Sequence, residues 1–213
     1  LEAARGIARG IVSWVEGTRG ALRLERDYGW ALLALTTAAD LFPGERFEAA
    51  RDRVAAEFRP FLHDSGLVLL ELTRNPTVAR TATFTALGVV VPALVAYARA
   101  AGAPEWNRRA AAMVRRYLAE AWDPETERLA WTLFVDASSG QVIGRRGQVE
   151  GAELMFVAAG AAVAAGGEEM GLALRQARSL ADRGLRAFRR EGHGTHNGER
   201  IKALSALLEL GPD

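Results

Sequence analysis

The feature that most constrains this chain is a helical hairpin written three times, about 60 residues apart. Copy one runs from Gly29 to Phe61, copy two from Thr83 to Trp122 and copy three from Gln148 to Phe188. Each copy holds a nearly all-apolar segment, a tight turn and an amphipathic, Arg-rich segment. The turns are Pro43-Gly44, Gly102-Ala103-Pro104 and Gly166-Gly167. Trp30, Leu32, Leu33 and Leu35 typify the first segment of copy one, and Phe84, Leu87, Val89 and Leu94 that of copy two. A helix hydrophobic all round must be covered on most sides. The second segments each carry a single stripe at spacings of three or four. These stripes read Phe47, Ala50, Val54, Phe58 and Phe61, then Trp106, Ala110, Met113 and Tyr117, then Met170, Leu174, Ala177, Ala181, Leu185 and Phe188.

Inner helices covered by outer helices satisfy both patterns. The reading is therefore all-α, with repeated α-hairpins forming an α/α toroid or part of one. One domain spans 1–213, with hairpins over about 27–62, 81–122 and 148–190 and half-hairpins at 2–16 and 198–210. The period is too long for a TPR-type solenoid of about 34 residues. Leu1 stands where an initiating Met is expected, with a helix already under way, which reads as a piece of a longer polypeptide.

The connections are unequal. Inner-to-outer turns are short, whereas Gly17–Glu25, His63–Ala79, Asp123–Gly147 and Glu191–Asn197 are long. Antiparallel packing gathers the long loops at one end, where repeat proteins usually place function. Gly66–Leu72 has strand character, and Leu129–Val135 with Gln141–Ile143 flanks the turn sequence Asp136–Gly140 as a predicted β-hairpin.

Composition excludes several classes. The chain has no cysteine, so disulfides, thiolate metal sites and a Cys nucleophile are ruled out and the compartment stays open. Net charge is +1, with basic residues mixed among acids on the outer helices, so nothing points to nucleic acid. The apolar runs Ala31–Ala39, Thr85–Ala98 (broken by Pro92) and Leu154–Ala165 fall short of the roughly 20 residues of a membrane span. No GxSxG, P-loop, GxGxxG or EF-hand pattern occurs, and no cofactor is expected.

The layout of apolar inner helix, Gly/Pro turn, outer helix and long loop resembles the α/α toroids of carbohydrate-active proteins. These are the six-hairpin glycosidases, related polysaccharide lyases and the N-acylglucosamine 2-epimerase type. The segment Trp122-Asp123-Pro124-Glu125 through Trp131 is similar to a loop those proteins place between hairpins. Gln148-Val149-Glu150-Gly151-Ala152-Glu153-Leu154 looks like their inner-helix start. The resemblance covers roughly residues 26–190. It implies a hydrolase, lyase or epimerase acting on saccharides. It supplies no diagnostic motif, and no catalytic residue is carried over from it.

The candidate chemistry comes from the residues themselves. Asp27 opens the first complete inner helix between Arg26 and Tyr28. A carboxylate beside aromatic rings suits sugar binding; equally, an acid in the first helical turn answers the helix dipole. Glu150 and Glu153, three apart on one helix face, follow Arg145, Arg146 and Gln148. Glu150 with Asp27 across the ring is the candidate acid/base pair, since glycosidase carboxylates stand about 5–10 Å apart; helix-end charge balanced by the arginines is the plainer account. Arg145 is the candidate for an anionic group, and Tyr28 and Trp131 for stacking. Trp122 and Trp131 either make a sugar platform or anchor their loop. His193 and His196, in the glycine-rich loop Glu191–Gly198, have a spacing that could supply two metal ligands with Glu199 a third, but no HExxH helix is present and no metal is assigned. His193 is the candidate for substrate binding, as a neutral imidazole able to act as acid or base. His63 near the end of an outer helix is unremarkable. The partner is then a saccharide, or a neighbouring domain of the same polypeptide if the chain is a non-catalytic helical module.

Overall fold

A computed structural model describes residues 1–17, 25–69, 78–123, 128–147 and 159–164, with Gly167, Gly171 and Arg175. Hairpin 148–190 lies outside the described residues except at those last positions. Half-hairpin 198–210 lies wholly outside them, as do Glu150, Glu153, His193 and His196.

Helix α1 (Glu2–Gly17) is followed by α2 (Glu25–Leu41) and α3 (Phe47–Phe58). A 3-10 turn, Arg59–Phe61, ends this first hairpin. Strand β1 (Val78–Ala82) runs straight into the second inner helix, which comprises α4 (Thr83–Thr85), a π segment (Ala86–Val90) and α5 (Val91–Ala101). Outer helix α6 (Pro104–Ala121) returns, and β2 (Trp122–Asp123), β3 (Arg128–Leu129), β4 (Thr132–Asp136) and β5 (Val142–Arg146) follow. The second turn forms because Gly102 takes the left-handed conformation (φ 62°) that ends a helix cheaply only for glycine. Pro104 then starts α6 at the one position where its missing N–H costs nothing.

The layers are those expected. Helix α6 exposes only one stripe, at Pro104, Arg108, Ala112, Arg115 and Ala119, and buries Trp106, Ala110, Met113, Val114 and Tyr117. The second inner helix is exposed only at its last three residues, Arg99, Ala100 and Ala101. Inner helices α2 and α4–α5 lie side by side. Gly29 makes that approach possible: a Cβ there would stand 2.9 Å from Val89 Cγ1. Tyr28 fills the gap between layers, stacked on Phe58 at 5.5 Å and tilted against Phe61 at 4.9 Å.

Three findings differ from the sequence reading. Pro92 does not break its apolar run. Thr83–Ala101 is one 19-residue helix, long and apolar enough by composition to cross a membrane, and over half of its most apolar stretch is buried inside the protein as the inner helix. The disturbance at Pro92 is the π segment, in which the Val91 N–H reaches back five residues to the Ala86 carbonyl. Second, Gly66–Leu72 is no named strand over its described residues. Leu62 and Val68 form an isolated antiparallel bridge, and residues 70–72 lie outside the description. Third, the β-hairpin gains a strand: the sheet order is β1-β4-β5, all antiparallel, and Leu129 leaves the hairpin to pair with Trp122. Val78–Ala82 is too short and mixed to announce itself without its partner.

Candidate functional site

The sheet sits at the long-loop end, where it meets the N-termini of the inner helices. The Thr83 N–H donates to the Trp131 carbonyl (3.0 Å), fixing the start of the second inner helix to the edge of the hairpin. The Trp131 ring then stacks on Phe84 with centroids 5.6 Å apart and planes within 9°. Trp131 is nevertheless 42% exposed, so this is a supported aromatic surface facing outward. Trp122 behaves otherwise, leaning on the core as the anchor of its loop.

Helix α2 brings a second group to the same end. Its uncovered stripe runs through Arg26, Trp30, Thr37 and Leu41, with Asp27, Leu33 and Ala34 half covered. Asp27 and Trp30 are three residues apart and share that face. Trp30, read from sequence as core, is 53% exposed. Tyr28 is the reverse. Only 4% exposed and packed against Phe58 and Phe61, its ring is core and not a stacking surface for a ligand. The two positions are 200° apart on the helix, and the phenyl rings of the outer helix claim Tyr28. Burial above all, and then the charge of Glu57, raises the Tyr28 phenol pKa above its usual value.

The charged candidates are engaged locally. Asp27 Oδ1 lies 3.7 Å from Arg26 Nε. Arg145, the candidate for an anionic group, turns onto the end of α6: its Nε donates to the Glu120 carbonyl and Nη2 stands 3.4 Å from Glu120 Oε2. Asp27 and Trp131 thus share the long-loop end, with Trp30 the site residue that sequence reasoning missed, while Arg145 is tied to α6. The one available signal for Trp30 was its spacing from Asp27. His63 accepts the Ser65 N–H at Nδ1 (3.1 Å) and so organises its own turn. No group of three potential metal ligands occurs among the described residues.

No protein-family model and no curated protein matches the chain. Solved structures do. It is similar to a GH76 alpha-mannanase of Bacteroides thetaiotaomicron, with TM-score 0.61 and 11% identity over 88% of this chain and 52% of that one. It is similar to an inactive variant of the alpha-1,6-mannanase GH76A of Salegentibacter sp. HEL1_6, in complex with alpha-1,6-mannotriose, with TM-score 0.52 and 12% identity over 90% and 48%. An unsaturated glucuronyl hydrolase specific for heparin matches with TM-score 0.57 and 13% identity over 78% and 45%. The chain therefore has the α/α toroid fold of six-hairpin glycosidases. It spans about half the length of these structures.

Proposed function

We propose that this chain is a carbohydrate-binding part of an α/α toroid enzyme that hydrolyses, cleaves or epimerises saccharides. The observation that carries the reading is the Trp131–Phe84 stack, held half-exposed at the inner-helix end where α2 presents Asp27 and Trp30. Aromatic faces cover the apolar side of a pyranose while a carboxylate accepts from its hydroxyls. Asp27 and Glu150 are proposed as the acid/base pair, with His193 at the substrate. Tyr28 leaves the substrate-binding set, and Trp30 replaces it. One solved structure of this fold is in complex with alpha-1,6-mannotriose and another is an unsaturated glucuronyl hydrolase specific for heparin, and the saccharide class is proposed by that likeness.

A second reading, a non-catalytic helical module against a neighbouring domain, is favoured by one observation. Asp27 and Arg145 sit in separate ion pairs, with Arg26 and Glu120, while Ile7 and Leu41 expose apolar surface elsewhere. Thermal shift of the chain against α-1,6-mannotriose and unsaturated heparin disaccharide separates the two. A ligand that binds the native state raises Tm by mass action. The carbohydrate reading expects a rise with one saccharide, lost in Asp27→Ala. No rise with any glycan, under conditions where the chain is folded, transfers the weight to the module.

A further inference from the structure

A cavity lies away from the long-loop end. It holds about 520 Å³ between α3, the C-terminal end of α5 and the start of α6, and is lined by Arg51, Asp52, Arg59, Tyr97, Glu105 and Trp106 together with four alanines. Tyr97 is 13 residues beyond Phe84 on one helix, about 20 Å along its axis, so the cavity is independent of the site above.

At its centre is an arginine whose stem is buried and whose guanidinium opens onto the cavity. The Arg51 side chain is only 8% exposed, yet its guanidinium makes one ion pair, Nε to Asp52 Oδ1 at 2.8 Å. Among the described residues its Nη nitrogens have no hydrogen-bond partner. These nitrogens are not among the buried atoms left without a partner, so they face the open cavity and stay available to a ligand there. Its other neighbour is the Tyr97 ring, 5.6 Å away. Arg59 lies on the same wall, 5.9 Å over Trp106, with no carboxylate partner among the described residues. The guanidinium fork matches a carboxylate bidentately. Asp52 and Glu105 supply acceptors, which a bare anion would not tolerate but hydroxyl groups would use. Burial first, and then the charge of Asp52, raises the Tyr97 phenol pKa above its usual value, and the hydroxyl also hydrogen-bonds Asp52. Ala56, Ala100, Ala101 and Ala103 offer a methyl surface to a ring face.

We propose that this cavity binds a small hydroxylated carboxylate, a sugar acid in chemical class, with Arg51 and Arg59 on the carboxylate and Asp52 and Glu105 on the hydroxyls. The cavity volume falls within the range of small-molecule sites. The test is calorimetric titration of the 213-residue chain with sodium glucuronate, glucose and inorganic phosphate at fixed ionic strength. Glucuronate is expected to bind, with glucose and phosphate each about tenfold weaker or worse, the worth of one charge-assisted contact. Arg59→Gln, on the surface and safe for folding, is expected to abolish the binding; Asp27→Asn is expected to leave it unchanged. Absence of glucuronate binding overturns the proposal, as does binding that survives Arg59→Gln. Phosphate binding equal to glucuronate reduces the cavity to a general anion site and overturns the assignment. Loss in Asp27→Asn moves the ligand to the long-loop end, which also overturns it and leaves the carbohydrate reading standing.

Discussion

Gly29→Ala sets two effects against each other at one atom. Alanine is about 1 kcal/mol better than glycine inside a helix. Against this, the new Cβ would stand 2.9 Å from Val89 Cγ1 and 3.6 Å from Val90 Cγ2, on the neighbouring inner helix. The first distance is shorter than carbon atoms tolerate, so the helices must part or Val89 must turn. Val89 is buried, and a β-branched side chain in a helix has one strongly preferred rotamer. Overpacking of this kind costs about 1–3 kcal/mol. The net expectation is a loss of about 1 kcal/mol, or a Tm lower by roughly 2–4 °C for a chain of this size. The decisive measurement is a double-mutant cycle by urea unfolding. In a Val89→Ala background the obstructing methyl is gone, and Gly29→Ala is expected to stabilise by about the propensity term. If Gly29→Ala raises Tm in the parent chain, the close approach of the inner helices is not what glycine serves at this position.

Three further outcomes follow from the geometry. Tyr117→Phe removes a buried hydroxyl that bonds Thr81 Oγ1 and lies 3.4 Å from the Val68 N–H; about 1–2 kcal/mol of stability is expected to go, and a change below about 0.3 kcal/mol in urea unfolding refutes the clamp. Trp131→Ala forfeits stacking on Phe84, about 0.5–1.5 kcal/mol, and is expected to erase any saccharide-induced Tm rise; a rise of unchanged size places the ligand elsewhere. The Asp136 carboxylate accepts from Ser138 Oγ and the Ser139 N–H, which hold its pKa well below the usual range. A folded pKa below the unfolded value means that these bonds stabilise above about pH 4 and are lost as acid protonates the group. Asp136→Asn should therefore flatten the acid limb of a stability–pH curve and leave its alkaline limb alone.

Two hairpins were legible because their signals are local. Gly102 and Pro104 mark a turn by backbone chemistry, and the α6 stripe of Trp106, Ala110, Met113 and Tyr117 needs no knowledge of its partner. The inner helices resisted finer reading for the same physical reason that identified them. When Tyr28, Trp30, Leu32 and Leu33 are all apolar or aromatic, periodicity does not say which face lacks a neighbour. Tyr28 and Trp30 consequently exchanged places between core and surface. Strand β1 was missed because its stabilisation lies in β4, over 50 residues away in sequence. Phe84 was assigned to the apolar helix correctly, but its contact with Trp131 depends on a hairpin that only the folded chain brings near.

The π segment has a consequence for how this fold can vary. One extra residue in a helical turn offsets everything before it by about 100° relative to everything after it. Phe84, on the near side, is thereby aimed at Trp131, while Val91, Leu94 and Val95, on the far side, keep their register in the core. The helix thus runs in two angular phases, one set by the sheet and one by the ring of helices. Deleting Gly88 would merge the phases and swing Phe84 away from Trp131 without changing a single contacting side chain. The aromatic surface and the core packing are separable along one helix, so either can be altered by insertion or deletion at the π segment while the other stays as it is.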